Sequence, residues 1–236
     1  MRVVLHNNHG IPHDTKHVKR CIAKFGESYK KTVQEVIRNT ADGVNKRVFC
    51  ENVSKLMANF KMTRSGPFKG VKYSDGALKD PNGIVTSCWE NTHQNLIQIR
   101  SFLDEKGTGK RGRVLVELTN SDRNYVVSKL WIAFKKLLPF CMSDTTWGLV
   151  GASKILFSVL PEIALPVDNA QWKKVFKTID YSDVISTMAA EIDEWERQVG
   201  VPIDSCDPLP HSTLPSIYNV MAMEARSSKR LETKEI

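Results

Sequence analysis

Apolar residues recur along this chain with the period of an α-helix. They return every three or four positions through residues 126–138 and again through residues 49–60. This spacing places side chains on one side of a helix, whereas a half-buried strand requires strict alternation. We therefore predict a mostly α, multi-helix globular bundle. One clear stripe comprises Phe49, Val53, Leu56, Met57 and Phe60. The other comprises Val126, Val127, Leu130, Trp131, Phe134, Leu137 and Leu138.

Two irregular, glycine-containing loops rich in lysine and arginine separate the predicted helices. The first covers residues 61–87 and the second residues 106–113. The segment after the second loop, residues 113–118, reads RVLVEL and is compatible with either a short strand or the start of a helix. We divide the chain into an N-terminal helical region, residues 1–105, and a C-terminal helical region, residues 106–236. A chain of 236 residues can also bury one common core, so a single domain is the alternative.

The charge balance favours a polyanionic partner. There are 34 lysines and arginines against 26 aspartates and glutamates, giving a net charge of +8. Such an excess attracts phosphates, which release their counterions on contact. We therefore expect a nucleic acid as the partner; the oligomeric state stays open.

The cysteines and the hydropathy indicate the compartment. Five cysteines are scattered without a CxxC pair, a pattern typical of buried free thiols in a reducing environment. No apolar run approaches the roughly 18 residues of a membrane span, and the N-terminus lacks the apolar core of a signal peptide. We expect an intracellular protein, cytoplasmic or in the nucleoid or nucleus, without membrane association.

Residues 147–176 combine the features most suggestive of chemistry. A Gly148-x-x-Gly151 turn leads into a helix, and such a turn lets backbone amides approach a phosphate beside the positive end of the helix dipole. Lys154 lies within one turn of that helix start. Asp168 follows a Pro-Val pair and is expected to cap the next helix, which carries Lys173 and Lys174.

This segment resembles the helix-hairpin-helix DNA glycosylase superfamily. Residues 149–151 (Leu-Val-Gly) stand for the hairpin that grips the DNA backbone, and residues 166–168 (Pro-Val-Asp) for the loop with the essential aspartate. Ser153 falls where bifunctional members carry their Schiff-base lysine, and Lys154 is the next residue. No cysteine cluster for an iron–sulfur group follows, so no cofactor is expected.

The resemblance implies a base-excision glycosylase that binds double-stranded DNA and flips a damaged base out of it. Asp168 would stabilise the sugar cation or activate water, and the hairpin amides with Lys154 would hold the phosphate. An aromatic residue would contact the base, with Trp131, Trp147 and Trp172 as open alternatives. The candidate catalytic residues are Asp168 and Lys154; the candidate nucleic-acid contacts are Gly148, Val150, Gly151, Ser153, Lys173, Lys174, Lys110 and Arg111.

Two other classes remain open. A non-enzymatic nucleic-acid-binding module would use the same turn and the same basic loops. A metal-dependent nuclease would place Asp104 or Glu117 beside a lysine to hold Mg²⁺. His13 and His17, four residues apart, have the spacing of a metal pair on a helix, but no acidic partners accompany them and no metal is assigned.

Overall fold

The computed structural model describes residues 4–7, 9–25, 27–107, 111–143, 147–207 and 212–227. Over these ranges the chain is a mostly helical bundle with one two-stranded sheet, which confirms the predicted fold class. The α-helices are α1 (Thr15–Lys24), α2 (Glu27–Asn39), α3 (Lys46–Asn59), α4 (Ile84–Lys106), α5 (Val114–Glu117), α6 (Asn120–Cys141), α7 (Leu149–Val159), α8 (Asn169–Gln171), α9 (Tyr181–Val199) and α10 (Leu214–Ser227).

Helix α7 lies at the centre of the bundle. It packs between α3 and α6, and α6 also packs against α4 and α9. Every residue of α7 from Gly151 to Val159 is buried, as expected for a helix that is apolar on all sides. The boundary suggested at residue 105 falls at the end of α4, and buried residues from both sides of it join one hydrophobic cluster.

The first basic loop is more ordered than the sequence suggested. It contains a 3₁₀ turn (Met62–Arg64) and a hairpin of strands β1 (Lys72–Ser74) and β2 (Ala77–Lys79). Asp75 and Gly76 connect the strands, both with positive φ, at 54° and 76°. An Asp-Gly pair favours a tight hairpin turn, so the signal was present in a segment we had interpreted as irregular.

The ambiguous segment after the second loop is helical. Residues 114–117 form α5, and Leu118 ends it with extended backbone. A strand there would have needed a neighbouring strand for its backbone hydrogen bonds, whereas α5 satisfies them locally and packs against α9.

A buried ion-pair network connects the second basic loop to the core. The Glu162 side chain, only 1% exposed, pairs with Arg100 at 2.7 Å and with Arg111. Arg111 also donates to the carbonyls of Ile37 and Thr40 at 2.9 and 3.0 Å. One carboxylate thus joins α4, the end of α2, the loop after α7 and the second basic loop.

The cysteines and the helix lengths agree with the sequence reasoning. All five cysteines are free and buried, as predicted. None of the helices within the described ranges combines the length and apolar content needed to cross a lipid bilayer.

Replacing Glu162 by Gln should lower the free energy of unfolding by about 3–5 kcal/mol, because two largely buried guanidinium groups would lose their shared counter-charge. Urea unfolding followed by circular dichroism measures this change. Glu194→Gln is the matched control, since Glu194 pairs with Arg197 at the surface, and we expect little change there. Equal losses in the two variants would contradict the structural role of Glu162.

Candidate functional site

Asp168 begins α8 as its N-cap, as the sequence predicted. Its Oδ1 accepts from the Gln171 amide at 2.8 Å, and the Gln171 side chain accepts from the Asp168 amide at 2.7 Å, which completes a capping box. Oδ2 pairs with Arg226 from the last turn of α10. The Asp168 side chain keeps 27% exposure, so the carboxylate is fixed in place without being sealed from solvent.

A hydrogen-bond chain supports this cap from behind. The Gln171 amide group donates to Asn219 Oδ1 at 2.9 Å, and Asn219 donates to the Tyr29 hydroxyl at 2.9 Å. Burial raises the pKa of Tyr29, which keeps its hydroxyl protonated. The network therefore joins α2, α8 and α10 around Asp168 and restricts the orientation of its carboxylate.

Ser153 joins the aspartate loop to α7. Its hydroxyl accepts from the Val167 amide at 3.1 Å and lies within hydrogen-bond distance of the carbonyls of Val150 and Val167, at 3.1 and 3.2 Å. These hydrogen bonds hold the start of α7 against the aspartate loop. Ser153 itself is fully buried. The structure corrects the prediction that Ser153 contacts nucleic acid, because its hydroxyl is hydrogen-bonded to the protein backbone.

Lys154 is buried although it carries an amine. The residue is 4% exposed, and Nζ lies 3.8 Å from the centroid of the Phe60 ring and 3.6 Å from Met62 Sδ. Lys154 takes part in none of the ion pairs found within the described residues. Burial lowers its pKa to about 8, although the negative charge of Asp168 acts in the opposite direction. A substantial neutral fraction is therefore present near physiological pH.

The two glycines of the turn are required by packing. Gly148 caps α7 with a φ of 76°, and a Cβ there would lie 2.7 Å from the Leu138 carbonyl oxygen. A Cβ on Gly151 would lie 2.9 Å from Cys141 Cβ and 3.1 Å from the Phe68 ring. Close contact of α6, α7 and the first basic loop thus explains both glycines. Phosphate binding by the turn, including half-buried Val150, stays a prediction.

The remaining predicted contacts divide into two groups. Lys173 and Lys174 are exposed on a π-helical turn (Trp172–Phe176) directly after α8, where they can contact a phosphate. Arg111 points inward and pairs with Glu162, which corrects the prediction that it contacts nucleic acid. Lys110 lies outside the described residues.

Sequence reasoning missed three neighbours of the site. Phe60 and Met62 cover the Lys154 amine, and Arg226 pairs with Asp168. Phe60 had been assigned only to an apolar helix stripe, and no local pattern marks Arg226. The first basic loop, which crosses the start of α7 through Met62 and Phe68, also presents exposed cations beside the site: Lys61, Arg64 and Lys69.

The metal alternatives gain no support. The rings of His13 and His17 stack, with centroids 4.2 Å apart and planes at 11°, so they do not converge on one point. Asp104 pairs with Arg100. Among the residues that the structure describes, no group of three histidines, cysteines or carboxylates is arranged to hold a metal ion.

Comparison with protein-family models, with curated proteins and with solved structures gives no match for this chain.

Lys154 should make stability rise with pH. An amine whose pKa is about 8 in the folded protein and 10.5 when unfolded penalises folding below pH 8, because the unfolded chain holds its proton more tightly. That penalty disappears as the pH rises from about 8 to 10.5. The difference corresponds to roughly 3 kcal/mol. Lys154→Met should therefore be more stable than the natural protein at pH 7 and nearly equal to it above pH 10.

Urea unfolding of the two proteins across this pH range measures the difference directly, since other titrating groups are common to both. Parallel stability profiles would contradict the lowered pKa of Lys154.

Proposed function

We propose that this protein is a DNA N-glycosylase that cleaves the glycosidic bond of a flipped base, with Lys154 as its amine nucleophile and Asp168 as its carboxylate. One observation carries the proposal: Lys154 is 4% exposed and has no ion-pair partner in the described part of the chain, and its neighbour Ser153 is hydrogen-bonded to Val167, the residue before the capped carboxylate of Asp168. Exposed cations lie on the first basic loop and directly after α8.

The burial of Lys154 supports a chemical role. Removing an ammonium from water without a partner costs several kcal/mol, and the Phe60 ring offsets only part of that cost. Packing alone would favour methionine or leucine at this position. A desolvated amine, however, has a free electron pair near neutral pH, which an exposed lysine lacks. Perturbed groups of this kind concentrate at functional sites.

The chemistry follows from these two side chains. The neutral Nζ attacks C1′ of the sugar while the C1′–N bond breaks, and the base leaves with the electron pair and takes up a proton. Asp168 stabilises the positive charge that develops on the sugar. Nζ then loses a proton, and its electron pair forms the C1′=N bond as the C1′–O4′ bond breaks. O4′ takes up a proton, which leaves a protonated imine between Lys154 and C1′.

Access to the amine requires a local rearrangement. Phe60 and Met62 cover Nζ, so the start of the first basic loop must move before a sugar reaches it. The loop's exposed cations, Lys61 and Arg64, favour that movement when a phosphate backbone is bound. Arg226 can likewise exchange its contact with Asp168 for a phosphate.

Reduction with borohydride tests the assignment. The natural protein, incubated with duplexes that carry uracil, 8-oxoguanine or an abasic site, should become covalently linked to one of them, because borohydride reduces the imine to a stable amine. Lys154→Met should abolish this link, and Asp168→Asn should slow base release at least a hundredfold, as expected for loss of transition-state charge stabilisation.

Lys19→Met is the matched control for charge, since Lys19 is exposed on α1, and it should trap as the natural protein does. Full trapping by Lys154→Met would overturn the nucleophile, and unchanged base release by Asp168→Asn would overturn the carboxylate.

A non-enzymatic nucleic-acid-binding module is the second candidate. It is favoured by the exposed cations of the first basic loop and of the turn after α8, which need no reactive group to bind a phosphate backbone, and by the commitment of both Asp168 oxygens to protein partners. Such a module would retard duplex DNA with a steep salt dependence yet release no base and form no borohydride-stable link.

A further inference from the structure

Trp147 is the most exposed large apolar side chain in the described structure, at 70%. The other tryptophans are enclosed: Trp172 is 4% exposed and Trp195 is fully buried, while Trp89 and Trp131 are half-buried against Phe49 and Phe134. Leaving an indole in water forgoes the free energy of burying a large apolar surface. Tryptophan is enriched at interfaces, where its ring contacts a partner.

Trp147 lies next to a residue that is packed against the end of α6. Gly148, the next residue, sits against the end of α6, where a Cβ would lie 3.1 Å from the Met142 nitrogen. Met142 is itself 52% exposed. The backbone therefore presents Trp147 and Met142 at one junction, between the C-terminal end of α6 and the N-terminal end of α7.

The charge around this junction selects the partner. Phe68 of the first basic loop contacts Gly151, one turn into α7, and the next residue is the exposed Lys69. A flat aromatic surface beside positive charge is the arrangement by which proteins stack unpaired bases while holding the backbone. The net charge of +8 favours the same polyanion.

We propose that Trp147 is a stacking platform for an unpaired base of a DNA strand, and that the junction of α6 and α7 is where single-stranded or locally opened DNA is bound. The inference rests on the proposed function for its choice of DNA, but it requires no catalysis. It also decides between the three tryptophans that the sequence left open, because Trp172 is buried and Trp131 is half-buried against Phe134, whereas Trp147 is exposed.

Binding of oligo(dT), which offers bases without a duplex, tests the platform. In the natural protein oligo(dT) should quench tryptophan emission, since Trp147 is the indole most open to solvent. Trp147→Ala should weaken binding of labelled oligo(dT) about tenfold, the usual loss for one base–aromatic stack. Trp147→Phe should retain affinity within about threefold because a phenyl ring also stacks, but the quenching should disappear.

Ile11→Ala is the matched control, since Ile11 is 57% exposed on the N-terminal segment, and its affinity should equal that of the natural protein. Lys154→Met should lose the borohydride link and keep the quenching, so failure of the glycosylase and failure of the platform give different results. Equal affinity of Trp147→Ala and Ile11→Ala would overturn the platform. So would quenching by anionic phospholipid vesicles but not by oligo(dT), which would assign Trp147 to a membrane surface.

Discussion

Helix α7 is buried from Gly151 to Val159, and the neighbouring helices are positioned by their packing against it. Nine consecutive residues, Gly151 to Val159, are removed from solvent between α3 and α6. A helix enclosed on all sides needs small residues where its neighbours approach, and Gly151 meets that need against Cys141 and Phe68. Lys154 is the member of this run that carries a charge, so the same packing that stabilises the bundle places an amine in apolar surroundings.

The carboxylate beside that amine is held in a different way. Asp168 is fixed by hydrogen bonds from α8 and by Arg226 from α10, while Lys154 is held by aromatic and thioether contacts. Hydrogen bonds and an ion pair fix the orientation of the Asp168 carboxylate. Desolvation, in contrast, destabilises the charged form of the Lys154 amine and lowers its pKa.

Much of this arrangement could be predicted from the sequence because it depends on local patterns. The helical period gave the fold class, and the Pro-Val-Asp sequence gave the cap at residue 168. The direction of Arg111 could not be predicted, because its partner Glu162 is distant along the chain and only the fold brings them together. The burial of Lys154 could have been predicted. The helix around it carries apolar residues on every side, which indicates a buried helix without a solvated face.

Helix α10 gives the site a dependence on the order of synthesis. It supplies both Asn219, behind the cap, and Arg226, in front of it. A chain emerging from the ribosome forms its earlier elements first, so Asp168 and Lys154 leave the exit tunnel before either of these partners. The nascent protein therefore holds an incompletely constrained carboxylate, and the site acquires its final geometry only when the last described helix docks.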